Sequence, residues 1–233
     1  MSPHTKAGTP GSSLAVALYQ LTGLTCFSLL ILWLPETPQT NRFPGHHQYL
    51  TIIALYFTIA CAGLGTLAVI LPQWQQVRFA ILPVALAGEL VVMALYWSLK
   101  GLSKDYMFYQ TDINFPWWLD LGLHVAPVVF LGLSFLANRH LIQPSALQRG
   151  LLLCFAAGYI VWIEYVHMHL GTWPYPFMTL FTLTQRLLFY NFATALVYLF
   201  YWSCFYLTRP WGPVDKYTLQ RSQVLRSPKV ATD

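Results

Sequence analysis

The sequence predicts an all-α fold: a polytopic membrane bundle of six transmembrane helices, with the N- and C-termini both cytosolic. Three observations carry that prediction. Hydrophobic residues make up 56% of the chain and charged residues only 9%, with a mean hydropathy of +0.50, a balance that excludes a water-soluble domain. Six nearly uncharged stretches of about twenty residues are each long enough to cross a hydrocarbon core. The basic residues divide unevenly between the two sides those spans define. Lys6, Arg78, Arg139, Arg149 and five cations of the C-terminal tail make nine of the 13 on the side of the termini, against four (Arg42, Lys100, Lys104, Arg186) on the other. Positive charge stays on the cytosolic side, so the termini belong there.

The elements follow in order. Residues 1–12 are a polar tail with proline and glycine. The first span covers 13–34 and stops at Pro35. It is too long for a signal peptide, and the polar segment before it is wrong for one, so it reads as a membrane helix. A loop with Arg42, Pro44, His46 and His47 leads to the second span, 49–71, in which Gly63 and Gly65 let another helix come close. The third span is expected over 77–99, with Arg78 at its start and Glu89 inside. A polar loop, 100–115, holds Lys100, Lys104, Asp105 and Asp112. The fourth span runs 116–136, the fifth 149–170 and the sixth 184–207. Between the last two, Gly171-Thr-Trp-Pro-Tyr-Pro-Phe177 cannot continue a helix and forms a rigid interfacial segment. Residues 13–207 thus form one membrane domain, and 208–233 a basic cytosolic tail, either solvated or resting on anionic lipid.

The remaining composition narrows the class. A net charge of +5 does not point to nucleic acid, because the cations sit in loops and tail. Cys26, Cys61, Cys154 and Cys204 all lie in apolar runs without CxxC spacing, as buried free thiols and not as a disulfide or zinc framework.

The polar residues inside the spans gather toward one leaflet. His124 is eight residues past Pro116, roughly 12 Å below the non-cytosolic edge at 1.5 Å per residue. Asp120, one turn shallower, shares its helical face. Glu164, His167 and His169 occupy the last two turns of the fifth span, Thr51 the first turn of the second, and Glu89 lies near the middle. Ionisable groups at such depth face a cavity or the bundle interior, not lipid. A polar cavity opening toward the non-cytosolic side is therefore expected.

Three chemistries could use it. Glu164-x-x-His167 has the spacing of a di-iron ligand pair, but that site needs a second such motif and further carboxylates, and only Glu89 and Asp120 are left to supply them. His124 and His167 could hold a haem, with no further partner pattern to support it. The third is nucleophilic catalysis with His124 as general base. No G-x-S-x-G elbow marks the nucleophile, and many hydroxyls are available.

Several stretches between Gln48 and Leu207 resemble a known family. They are Asp112 to His124 with its Pro-x-Trp-Leu…His pattern, Gly158-Tyr159-Ile160-Val161-Trp162 through Val166-His167 to Trp173-Pro174-Tyr175-Pro176-Phe177, and Tyr49-Leu50-Thr51. Together they are similar to the androgen-induced-gene and ADTRP family of multipass membrane hydrolases. That resemblance implies hydrolysis of fatty acid esters of hydroxy fatty acids by a threonine nucleophile, Thr51, and a histidine, His124, with His167 in support and no cofactor or metal. Asp120 stands where some relatives carry asparagine, so its place as a third triad member is open; the alternative is that it orients His124. Asp120, His167, Glu164, Glu89, Trp173 and Tyr175 are the expected supporting and substrate-cavity residues. The partner is a lipid ester drawn from the bilayer, and the default compartment is the endoplasmic reticulum or another endomembrane. A non-catalytic lipid-binding, transport or regulatory protein with a structural polar cluster is the alternative.

Overall fold

The computed structural model describes residues 10–36, 40–106 and 116–208. The start of the N-terminal tail, the middle of the Asp112 loop and the basic tail beyond Thr208 lie outside the described residues. Every long element is helical, as lipid demands of a chain whose backbone polar groups must bond within the segment. In order these are α1 (Pro10–Leu32), α2 (Leu50–Ile70), α3 (Trp74–Leu102), α4 (Trp117–His124), α5 (Ala126–Asn138), α6 (Ala146–Leu170) and α7 (Leu183–Leu207). With α4 and α5 taken as one span, six helical segments are long and apolar enough to cross a membrane. Large apolar side chains such as Leu32, Ile70, Leu133, Leu153 and Leu199 point outward, as a lipid-facing surface requires.

α3 is the central helix and touches α2, α4, α5, α6 and α7. The main core runs through Leu55, Leu82, Leu131, Leu152 and Tyr201. A second, smaller core of Ile163, Trp173, Phe177, Met178 and Tyr190 sits at one end, where the α6–α7 connection folds back over the bundle and makes a short 3₁₀ turn, Pro176–Leu180. α2, α4 and α7 start at that end and α3 and α6 finish there. Close packing between α1 and its neighbours needs absent side chains. A Cβ on Gly23 would stand 2.4 Å from the Phe130 ring, and one on Gly65 would stand 2.5 Å from Gln20 Oε1. Gly63 meets only ordinary contact distance.

Four expectations need correction. The fourth span is broken at Val125, because Pro127 has no N–H for the Leu123 carbonyl; the ladder resumes with Val129 N–H on the Val125 carbonyl at 3.1 Å. α3 continues to Leu102, so Lys100 belongs to the helix and not to the loop. α6 begins at Ala146, three residues early, because Ser145 and Gln148 form a reciprocal capping box. Of the cysteines only Cys61 is buried; Cys26 and Cys154 are exposed on the outer surface and Cys204 is half-buried.

Candidate active site

The site starts from α4. The break after His124 makes it the last residue of its helix, with both Asp120 and His124 buried at 6% and 7% exposure. One turn of helix brings His124 Nδ1 to 3.0 Å from the Asp120 main-chain carbonyl and 3.2 Å from its Oδ1. A carbonyl oxygen only accepts, so Nδ1 carries the proton and Nε2 keeps its lone pair. That bare nitrogen faces Thr51 Oγ at 3.4 Å. A hydroxyl, an imidazole and a carboxylate are thereby placed in series, drawn from α2 and α4.

α3 completes the arrangement with two residues that the sequence did not single out. The Tyr96 ring stacks on the His124 ring, centroids 3.4 Å apart and planes within 6°, and its hydroxyl donates to Asp120 Oδ1 at 2.5 Å. Lys100 forms an ion pair with Asp120 Oδ2, donates to the Tyr96 hydroxyl at 3.2 Å and lies over the Trp97 ring. The carboxylate is held from three directions and neutralised by a cation, as a buried charge requires. The signal for these residues was present: Tyr96 and Lys100 have the same i, i+4 spacing as Asp120 and His124.

The first turn of α2 is shaped by α6 and the connection after it. Trp162 Nε1 donates to the His47 carbonyl at 2.8 Å and the Tyr159 hydroxyl to the Gln48 carbonyl at 3.2 Å. The Leu50 N–H donates to the Tyr175 hydroxyl at 2.9 Å. Burial pushes the Tyr175 phenol above its ordinary value, so it stays neutral. Backbone bonding resumes with Ile52 N–H on the Tyr49 carbonyl, and the Thr51 amide carries no backbone partner among the described residues.

A cavity of about 100 Å³ opens beside Thr51, walled by α3, α6, α7 and the aromatic connection; Tyr175 borders it. The other expected residues lie elsewhere. Glu89 is fully buried against α2 and accepts from Thr58 Oγ at 2.7 Å, two turns below Thr51. Glu164 accepts from the Tyr190 hydroxyl at 2.8 Å, with Arg186 Nε at 3.7 Å. His167 stacks on Trp173, centroids 3.8 Å apart, and the Arg186 guanidinium also lies over that indole. Glu164 and His167 of α6 and Arg186 and Tyr190 of α7 form a cluster with Trp173 under the connection. His124 and His167 therefore do not share a site, and among the described residues no three His, Cys, Asp or Glu side chains group closely enough to hold a metal ion.

Comparison with known proteins finds similarity along most of the helical region. The family described as FAR-17a/AIG1-like protein matches residues 15–207. The chain is 26% identical over 184 residues to the androgen-induced gene 1 protein of Homo sapiens, covering 71% of this chain and 77% of that protein. No solved structure matches. A match running from the first membrane helix to the last identifies the chain as a member of the FAR-17a/AIG1-like family.

Proposed function

We propose that the protein is an intramembrane lipid esterase that hydrolyses fatty acid esters of hydroxy fatty acids, with Thr51 as nucleophile and His124 as general base. The observation that carries this reading is the Thr51 Oγ–His124 Nε2 contact, with the other ring nitrogen turned to Asp120. A separation of 3.4 Å in the free protein shortens when substrate closes the site.

The chemistry runs in two halves. Thr51 Oγ attacks the ester carbonyl as its proton passes to His124 Nε2. The Thr51 amide, which carries no backbone partner among the described residues, is the donor available to the tetrahedral oxyanion. Its collapse breaks the ester C–O bond, and the imidazolium returns the proton to the leaving alkoxide, releasing the hydroxy fatty acid. Water then attacks the acyl-threonine, giving its proton to His124; the fatty acid leaves and Thr51 recovers its own. Asp120 balances the transient imidazolium charge, and Lys100 balances Asp120 between turnovers. A β-branched nucleophile suits a site that holds one rotamer.

In the membrane this reading puts the active end on the non-cytosolic side, the termini and basic tail in the cytosol, and the protein in the endoplasmic reticulum or another endomembrane. The nine-to-four division of basic residues supports that orientation. Epitope tags on both ends should be digested by protease added outside sealed microsomes; protected tags would reverse the orientation.

The experiment that tests the activity is labelling of membranes with a fluorophosphonate probe, followed by identification of the modified peptide. Label on the Thr51 peptide that disappears in Thr51→Ala is expected. Folded protein that takes no label and hydrolyses no ester would leave lipid binding without catalysis as the reading.

A further inference from the structure

The cavity beside Thr51 has a length and a chemistry that say what fills it. On α3 its wall runs from Leu99 to Val91, on α6 from Ile163 to Phe155, and on α7 from Phe189 to Val197. Each stretch spans nine residues, eight helical rises, so the cavity reaches about 12 Å from the site end toward the middle of the bundle. Its other hydroxyls have partners elsewhere: Tyr96 donates to Asp120, Tyr159 to the Gln48 carbonyl, Tyr190 to Glu164 and Thr194 to the Tyr190 carbonyl, while the Tyr175 hydroxyl accepts from the Leu50 N–H. What remains is an apolar sleeve with one reactive hydroxyl at its mouth. Phe155 lines the deep end, where Phe57 braces it edge-on at 5.2 Å.

We propose that this sleeve binds the acyl chain of the ester as a straight hydrocarbon, carbonyl carbon at Thr51 and chain descending between α3, α6 and α7, and that Ala193 sets how deep it goes. The proposal rests on the esterase reading and adds to it the half of the substrate that is measured, and by what. A 12 Å sleeve accepts roughly ten carbons of an extended chain, from the length and angle of a C–C bond. Ala193 lies four residues below Phe189 on the α7 wall, about 6 Å down, where a larger side chain would cut the sleeve near its middle.

The test compares kcat/KM for p-nitrophenyl esters from butyrate to palmitate in wild-type protein and in Ala193→Phe, with Ala193→Leu as a milder variant should the first not fold. Wild type should gain roughly threefold per added methylene up to about ten carbons and then level off, so that decanoate exceeds butyrate by more than about a hundredfold. Both variants should level off after roughly five or six carbons, dropping the decanoate-to-butyrate ratio at least tenfold. A variant profile that rises as far as wild type would overturn the assignment.

A second arm does not need turnover. Decanoic acid with a terminal diazirine, irradiated with Thr51→Ala protein in nanodiscs, should attach at Phe155 or Val197, the labelled residue being located by fragmentation of the peptide, and Ala193→Phe should abolish that attachment. Attachment only at outward-facing residues such as Leu153 and Leu199 would overturn the proposal. Sleeve attachment together with wild-type protein that hydrolyses no ester would instead refute the esterase and keep the sleeve as a fatty-chain binding site.

Discussion

Asp120 meets His124 twice, through its main-chain carbonyl at 3.0 Å and through its carboxylate at 3.2 Å, both on the same ring nitrogen. The two contacts have different consequences. The carbonyl alone is enough to fix the tautomer that leaves Nε2 free for Thr51; the carboxylate adds charge balance when the ring is protonated.

Asp120→Asn should therefore be slow but not dead. Its main chain still accepts from Nδ1, so ester turnover should fall about 10- to 100-fold, a loss of about 1.4–2.7 kcal/mol of transition-state stabilisation. His124→Ala and Thr51→Ala should fall to background. Steady-state hydrolysis with matched expression checks this, and an Asp120→Asn protein as inactive as His124→Ala would refute the division of labour.

Tyr96 contributes its ring and its hydroxyl separately. Tyr96→Phe keeps the stack on His124 and removes only the hydrogen bond to Asp120, which should lower stability by about 1.5–3 kcal/mol, as for other bonds to a charged group. Tyr96→Ala also removes the ring that covers one face of the imidazole, so it should lose more of both stability and turnover. Thermal unfolding in detergent, read beside ester hydrolysis, separates the two effects.

Lys100 is the cation that makes a buried Asp120 tolerable. Lys100→Met strands the carboxylate and should destabilise by about 3 kcal/mol. Adding Asp120→Asn to it should restore most of the stability and none of the rate. The cycle of two single variants and the double variant measures this coupling, and additive losses would mean that the ion pair contributes nothing.

Glu89 and Thr58 form a buried pair remote from the reaction. Thr58→Val leaves the Glu89 carboxyl without its donor and should cost about 1–3 kcal/mol of stability. Glu89→Gln keeps an acceptor for Thr58 and should leave turnover within about twofold, since the pair sits roughly 10 Å below Thr51. A large loss of turnover in Glu89→Gln would place this carboxyl in the reaction after all.

Much of this architecture is legible along the chain because lipid permits so few alternatives. A backbone that must satisfy its own hydrogen bonds forms helices, and the apolar runs mark where they lie. The Asp120–His124 face is legible for a similar reason, since i, i+4 spacing is a local property. The break at Val125 follows from Pro127, whose effect an apolar run of this strength conceals. The charge of Lys100 reads as the start of a loop, while α3 continues past it to Leu102 and holds it against Asp120.

The sequence by itself determined six spans, their order and the end of the bundle at which the polar residues collect. Depth follows from counting, because each residue rises by a constant step. Rotation about each helix axis does not. Only the packed structure decided that Thr51 and His124, 73 positions apart, face one another. It also decided that Glu89 turns to Thr58, and that Glu164 and His167 turn to Tyr190 and Trp173. Which face of an apolar helix points inward depends on how the side chains of its neighbours interlock, and no short stretch of sequence contains those neighbours.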